Sequence, residues 1–148
     1  MRYRLALLTL IVFAPLSGPA AAQHAFAPGQ VWSYEGAPGT SQVIVGATET
    51  LKDDGEVVHI VITDVPFEAL VDMGDADPVF DVMHVAIARA DLDASVTAQT
   101  GTATLPGNFE DALRMWRDAY ALGSTGIFEQ TVSEIVADIR GGPEAAAE

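Results

Sequence analysis

Three histidines, a single lysine and no cysteine leave this 148-residue chain few side chains that could do chemistry. Two of the histidines, His59 and His84, lie inside β-branched and apolar runs, Val57–Phe67 and Val79–Ala88. Strands far apart in sequence can be neighbours in a sheet, so the two imidazoles could meet. Imidazole titrates near neutrality and ligates zinc, so a histidine pair with a carboxylate could serve acid–base chemistry or hold a metal ion. Asp64, Glu68 and Asp81 are candidate third members, although Asp64 and Asp81 have the opposite strand parity to the histidine on their own strand. His59 shares its face with Val61 and Thr63, and His84 shares its face with Phe80, Val82 and Ala86. A zinc site needs at least three converging protein ligands, and the sequence places two. The expectation is therefore no bound metal, no cofactor, and two neutral histidines hydrogen-bonded on half-apolar faces.

Other candidate groups are weaker. Trp32 and Tyr34 alternate on one predicted strand and could line an aromatic ligand groove with Trp116 and Tyr120, though at this spacing such residues more often build core. Asp72, Asp75, Asp77 and Asp81 make an acidic loop, but Gly74 comes too early for an EF-hand and the glutamate of the twelfth position is absent. His24 would be third in a chain cut after Ala21, where amine, amides and imidazole chelate copper or nickel in a plane; a cut after Ala22 makes it second. The chain has no Gly-x-Ser-x-Gly, no phosphate loop, no His-Glu-x-x-His and no dinucleotide fingerprint. Lys52, the single lysine, sits in the acidic turn Lys52-Asp53-Asp54-Gly55-Glu56, a poor place for a depressed pKa.

The elements that must position these groups can be read from periodicity. Val57–Phe67 carries the strongest strand signal, with Val58, Ile60 and Ile62 on one face and Pro66 ending it. Gln30–Glu35 and Ser41–Leu51 read as two earlier strands, with Gly46 a candidate bulge, and Val79–Ala88 as a fourth. A meander of antiparallel neighbours follows from the short connections. Glu68–Met73 could start a helix, Asp91–Gln99 could form another, and the Thr- and Gly-rich stretch Thr97–Gly107 reads as a linker. Asn108–Leu122 is the clearest helix: Asn108 suits the N-cap, Phe109, Leu113, Trp116 and Tyr120 form one apolar stripe, and Gly123 ends it. Gly126–Val132 reads as a fifth strand, and Ser133 as the cap of a final short helix carrying Ile135, Val136 and Ile139.

Arg2 and Arg4, the apolar run Leu5–Phe13 and the small residues Ala20-Ala21-Ala22 have the form of a signal peptide, expected to be cut after Ala22. The run is too short to cross a bilayer, which takes ~20 apolar residues. The expected location is the periplasm or the exterior, with no membrane span after cleavage and no disulfide. The formal charge of −14 argues against nucleic acid as a partner. What remains is one α+β domain over residues 23–140, with a mostly antiparallel sheet of about five strands and two to three helices on one face, and a disordered tail from Gly141 to Glu148.

Gly29-Gln30-Val31-Trp32-Ser33-Tyr34, Val58-His59-Ile60 and Gly126-Ile127-Phe128, with the Trp116 helix between the last two, resemble a group of small exported bacterial proteins of uncharacterised function. Members tend to show His-Leu-Pro-Phe-Ser before a helix; His84-Val85-Ala86-Ile87-Ala88 keeps the histidine without the proline and serine. The resemblance implies a shared fold and no particular activity. The sequence thus favours an exported, non-enzymatic domain that binds a protein or small ligand in the cell envelope. A small hydrolase or metal-dependent enzyme using His59 and His84, and a structural envelope protein, are the alternatives.

Overall fold

The computed structural model describes residues 23–66 and 79–141. The expected signal peptide, the helix start at Glu68–Met73, the loop to Pro78 and the tail beyond Gly141 lie outside the described residues.

Five strands and three helices make an α+β fold. They follow in the order β1 (Gln30–Tyr34), β2 (Gln42–Leu51), β3 (Gly55–Pro66), β4 (Val79–Ala88), α1 (Arg89–Ser95), β5 (Val96–Thr102), α2 (Phe109–Ala121) and α3 (Val132–Gly141). The sheet order is β4-β3-β2-β1-β5, and all four pairings are antiparallel. β1 to β4 form the expected meander. The chain then crosses by way of α1 to the far edge, where β5 lies beside β1.

β3 is buried on both sides, and Val57 through Ile62 are each at most 1% exposed. A strand apolar on both faces needs cover on both. On one face Trp32, Val43, Val45, Ile60, Ile62, Val85 and Ile87 pack with Leu92 of α1 and Val132, Ile135 and Val136 of α3. On the other, Val31, Ile44 and Val61 pack with Phe109 and Leu113 of α2. The helices are therefore divided between the two faces, not gathered on one. The reading from β3 alone missed this because His59 and Thr63 made its second face look half polar.

Two bulges reset which residues share a face. In β2 the register passes from Val45↔Ile60 to Ala47↔His59, so Gly46 is the extra residue. The Phe109 ring fills the space left by the missing side chain: a Cβ on Gly46 would lie 2.0 Å from Phe109 Cζ. In β4 the register passes from Ile60↔Val85 to Ile62↔Val82. Phe80 and Val82 consequently pack on the α1/α3 face, while His84 lies against Phe109 and Trp116 of α2. The expectation that His84 shares a face with Phe80 and Val82 fails at this bulge. Asp64, with φ 51°, occupies the further irregularity between Ile62 and Val65.

Two segments change type. Val96–Thr102, read as part of a helix and a linker, is a strand held by β1. It has no apolar alternation to betray it; pairing of its Thr-rich backbone makes it a strand. Gly126–Val132 is not a strand: Phe128 alone makes a parallel bridge to Ile87, and Val132 already begins α3. Thr131, not Ser133, closes α3. Its backbone N–H donates to Glu134 Oε2 at 2.8 Å while Glu134 N–H reaches Thr131 Oγ1 at 3.4 Å, a capping box. The Thr131 hydroxyl, donating to Glu134 Oε2 at 2.6 Å, and after it the Thr131 N–H hold the Glu134 carboxyl below its usual range. α2 ends as expected on Gly123, where Gly123 and Ser124 N–H groups bond the carbonyls of Tyr120 and Ala119 in a Schellman pattern. Asn108 holds the N-cap position of α2 without a side-chain capping bond.

Candidate histidine–carboxylate site

His59 and His84 meet. β3 and β4 are neighbours, and His59 Nδ1 lies 3.0 Å from His84 Nε2, with the rings stacked at 5.1 Å. The carboxylate that joins them is Glu49 of β2, whose Oε1 is 2.6 Å from His59 Nε2. Neither Asp64 nor Asp81, two of the three carboxylates expected in that role, bonds either histidine. Glu68 lies outside the described residues, and Asp81 accepts a bond from the Asp64 backbone N–H at 3.0 Å.

The Gly46 bulge explains the choice. Ile44 pairs with Val61 on the α2 face; after the bulge Ala47 pairs with His59 on that same face. Glu49, two residues further, joins them. In an unbulged strand Ile44 and Glu49 would point to opposite faces.

The bonding order assigns the protons. A carboxylate only accepts, so His59 carries hydrogen on Nε2 and donates it to Glu49. The Nδ1 of neutral His59 then accepts from His84 Nε2–H, leaving His84 Nδ1 as the basic end of the chain. α2 closes over it. Trp116 meets the His59 ring edge-on at 4.8 Å, and Arg117 Nε lies 3.4 Å from Glu49 Oε1. Trp116 stacks on Tyr120 at 5.0 Å and donates Nε1–H to the Gly126 carbonyl at 3.2 Å. The Tyr120 hydroxyl donates to Asp54, which pushes its pKa up to about 12.

Burial sets the basicity of the pair. His59 is wholly buried, and loss of water lowers its pKa despite the bond to Glu49. His84 is pushed down to about 4, first by burial and then by the neighbouring His59 and Arg117. Neutral rings are the resting state, as the sequence implied. Among the described residues no group of three His, Asp or Glu side chains is arranged to hold a metal ion. The ring nitrogens of His59 point at Glu49 and His84, so neither offers a free lone pair.

The remaining expectations sort by face. Trp32 and Tyr34 are buried on the α1/α3 side of the sheet, with 6% and 4% exposure, whereas Trp116 and Tyr120 lie on the α2 side. The sheet separates the two aromatic pairs, so they do not line one groove. Tyr34 donates its hydroxyl to Ser41 at 2.7 Å, and burial raises its pKa. His24 Nδ1 and its backbone N–H both lie 2.7 Å from Asp93 Oδ1. Burial would raise the Asp93 pKa, but these bonds outweigh it and hold the carboxyl below its usual range. The atoms that a planar copper or nickel chelate would take from His24 are thus engaged by Asp93. Two clefts of about 270 and 140 Å³ flank the Glu56–Arg89 ion pair; Glu49 lines the smaller one, and neither is lined by His59 or His84.

Comparison with protein-family models, with curated proteins and with solved structures found no match.

Proposed function

We propose that the chain is an exported, non-enzymatic α+β domain that binds a protein or small ligand in the cell envelope. The observation that carries this reading is that both ring nitrogens of His59 are spent inside the fold, on Glu49 Oε1 and on His84, and that the same Glu49 oxygen also takes Arg117. The network ties β2, β3, β4 and α2 together. A base held near pKa 4 is a poor proton acceptor at neutral pH. Surface suited to binding lies on α2 and at its C-cap: Met115 and Leu122, one heptad apart, are 68% and 82% exposed.

The test is photocrosslinking in the exporting cell from Met115 and, as control, from Asp111 on the same helix. A discrete adduct at Met115, lost on Leu122→Glu while the purified variant melts normally, supports binding through this face. Absence of an adduct at Met115 removes it.

One observation favours the alternative of a small hydrolase or metal-dependent enzyme: a carboxylate, an imidazole and a second imidazole in hydrogen-bonded series, with His84 Nδ1 at the end. Calorimetric titration with zinc and assay of ester and amide hydrolysis separate the two readings. Micromolar zinc affinity, or turnover abolished in His84→Ala, would move the enzyme to the front. Intact-mass analysis of the exported protein tests removal of residues 1–22.

A further inference from the structure

The β1–β5 end of the sheet is built from uncharged stretches of an acidic chain. The net charge is −14, yet neither Ala94–Phe109 nor Gln23–Tyr34 contains an Asp, Glu, Lys or Arg. β5 is the last strand of the sheet, and no further strand pairs with its outer edge among the described residues. Thr97 through Thr102 are all exposed. An edge strand presents a row of backbone N–H and C=O groups ready for another strand, and the usual protections are Lys, Pro or bulges. β5 has no lysine and no proline. Its pairing with β1 is irregular twice, between Val31 and Trp32 and between Ser33 and Tyr34, which twists the edge and shortens its straight part.

We infer that β5 is a self-association edge, taking a second copy of this chain in antiparallel pairing across a two-fold axis. Charge selects the occupant. Two copies of so acidic a chain repel wherever their acidic surfaces face, and the uncharged β1–β5 end lets them approach without apposed like charges. An antiparallel pair of identical strands is self-complementary, so the contact closes as a dimer and does not propagate. Contact along one short, twisted edge buries little area, so the dimer is weak and concentration-dependent. Because the repulsion opposing it is screened by salt, its population rises with ionic strength.

Sedimentation equilibrium of the purified protein, over a concentration series at low and high salt, tests this with two variants. Gln99 lies at the middle of β5 and is exposed, so Gln99→Glu and Gln99→Lys should both fold normally. Each places like charges across the two-fold axis, so each should weaken the dimer at least tenfold. An equimolar mixture of the two should restore it. A contact elsewhere, governed by net charge, would instead be weakened by the glutamate and strengthened by the lysine. A wild-type protein that stays monomeric throughout, or a dimer that both variants retain, overturns the inference.

Discussion

Glu49 Oε1 lies 2.6 Å from Nε2 of His59, a histidine with no exposed surface. The bond joins β2 to β3 three residues after the Gly46 bulge, and it turns a buried imidazole from a liability into part of the core. A buried N–H without a partner costs about 1–3 kcal/mol, so the consequences of losing the carboxylate can be placed in order.

Glu49→Ala strands the His59 Nε2–H and is expected to destabilise the protein by about 1–3 kcal/mol. Arg117→Ala removes only a half-exposed ion-pair partner at 3.4 Å and should cost under about 1 kcal/mol. Urea melts of both variants check the order. Equal losses would mean that Glu49 acts through Arg117 and not through His59.

The histidines make stability fall on mild acidification. His84 titrates at about 4 in the folded chain and at its ordinary 6.5 when unfolded, so between these values the unfolded state binds more protons. The His84 contribution is full above pH 6.5, declines as pH drops toward 4, and levels below. The ceiling from His84 is about 3 kcal/mol, reduced by its partial exposure, and His59 shifts in the same direction. Denaturant melts between pH 4 and 8 measure the slope. His84→Gln should flatten it; an unchanged slope would assign the acid sensitivity to other groups.

Gly46→Ala is expected to cost about 3 kcal/mol, the upper end for overpacking, because the new Cβ meets a ring that is itself wholly buried. Phe109→Leu should recover part of that loss when combined with it, although alone it is destabilising. Additive melts for the double variant would show that the two side chains do not compete for one space.

Trp116 is half-buried, unlike Phe109 and Leu113 at 0% and 3% exposure on the same stripe. Trp116→Ala is therefore expected to cost about 2 kcal/mol, not the ~3–5 kcal/mol of a fully buried aromatic. The same variant should raise the apparent pKa of His84, since it admits water to the pair. Histidine-resolved NMR titration checks this; an unmoved pKa would mean that Trp116 does not shield it.

Much of the framework was legible in the residues alone. β-branched runs mark β3 and β4, because a branched Cβ suits a pleated surface. The stripe from Phe109 with Gly123 after it marks α2, and the short connections between the early strands mark a meander. These are local signals, carried by residues that are close in sequence and decided by intrinsic backbone and side-chain preference. That His59 and His84 stay neutral was also legible, since half-apolar faces desolvate them.

What only the tertiary structure decided depends on partners distant in sequence. β5 is a strand because β1 pairs with it; its own threonines and glycine would serve equally in a loop. The division of helices between two faces depends on which apolar surfaces were left uncovered after the sheet formed. Glu49 joins His59, and Phe80 and Val82 leave His84, because single-residue bulges in β2 and β4 shift the two-residue alternation by one. Alternation in a strand has a period of two, so one extra residue moves every later side chain to the opposite face. Gly46 announces that such a shift is possible. Whether it occurs is decided by Phe109, sixty-three positions away, whose ring needs the space.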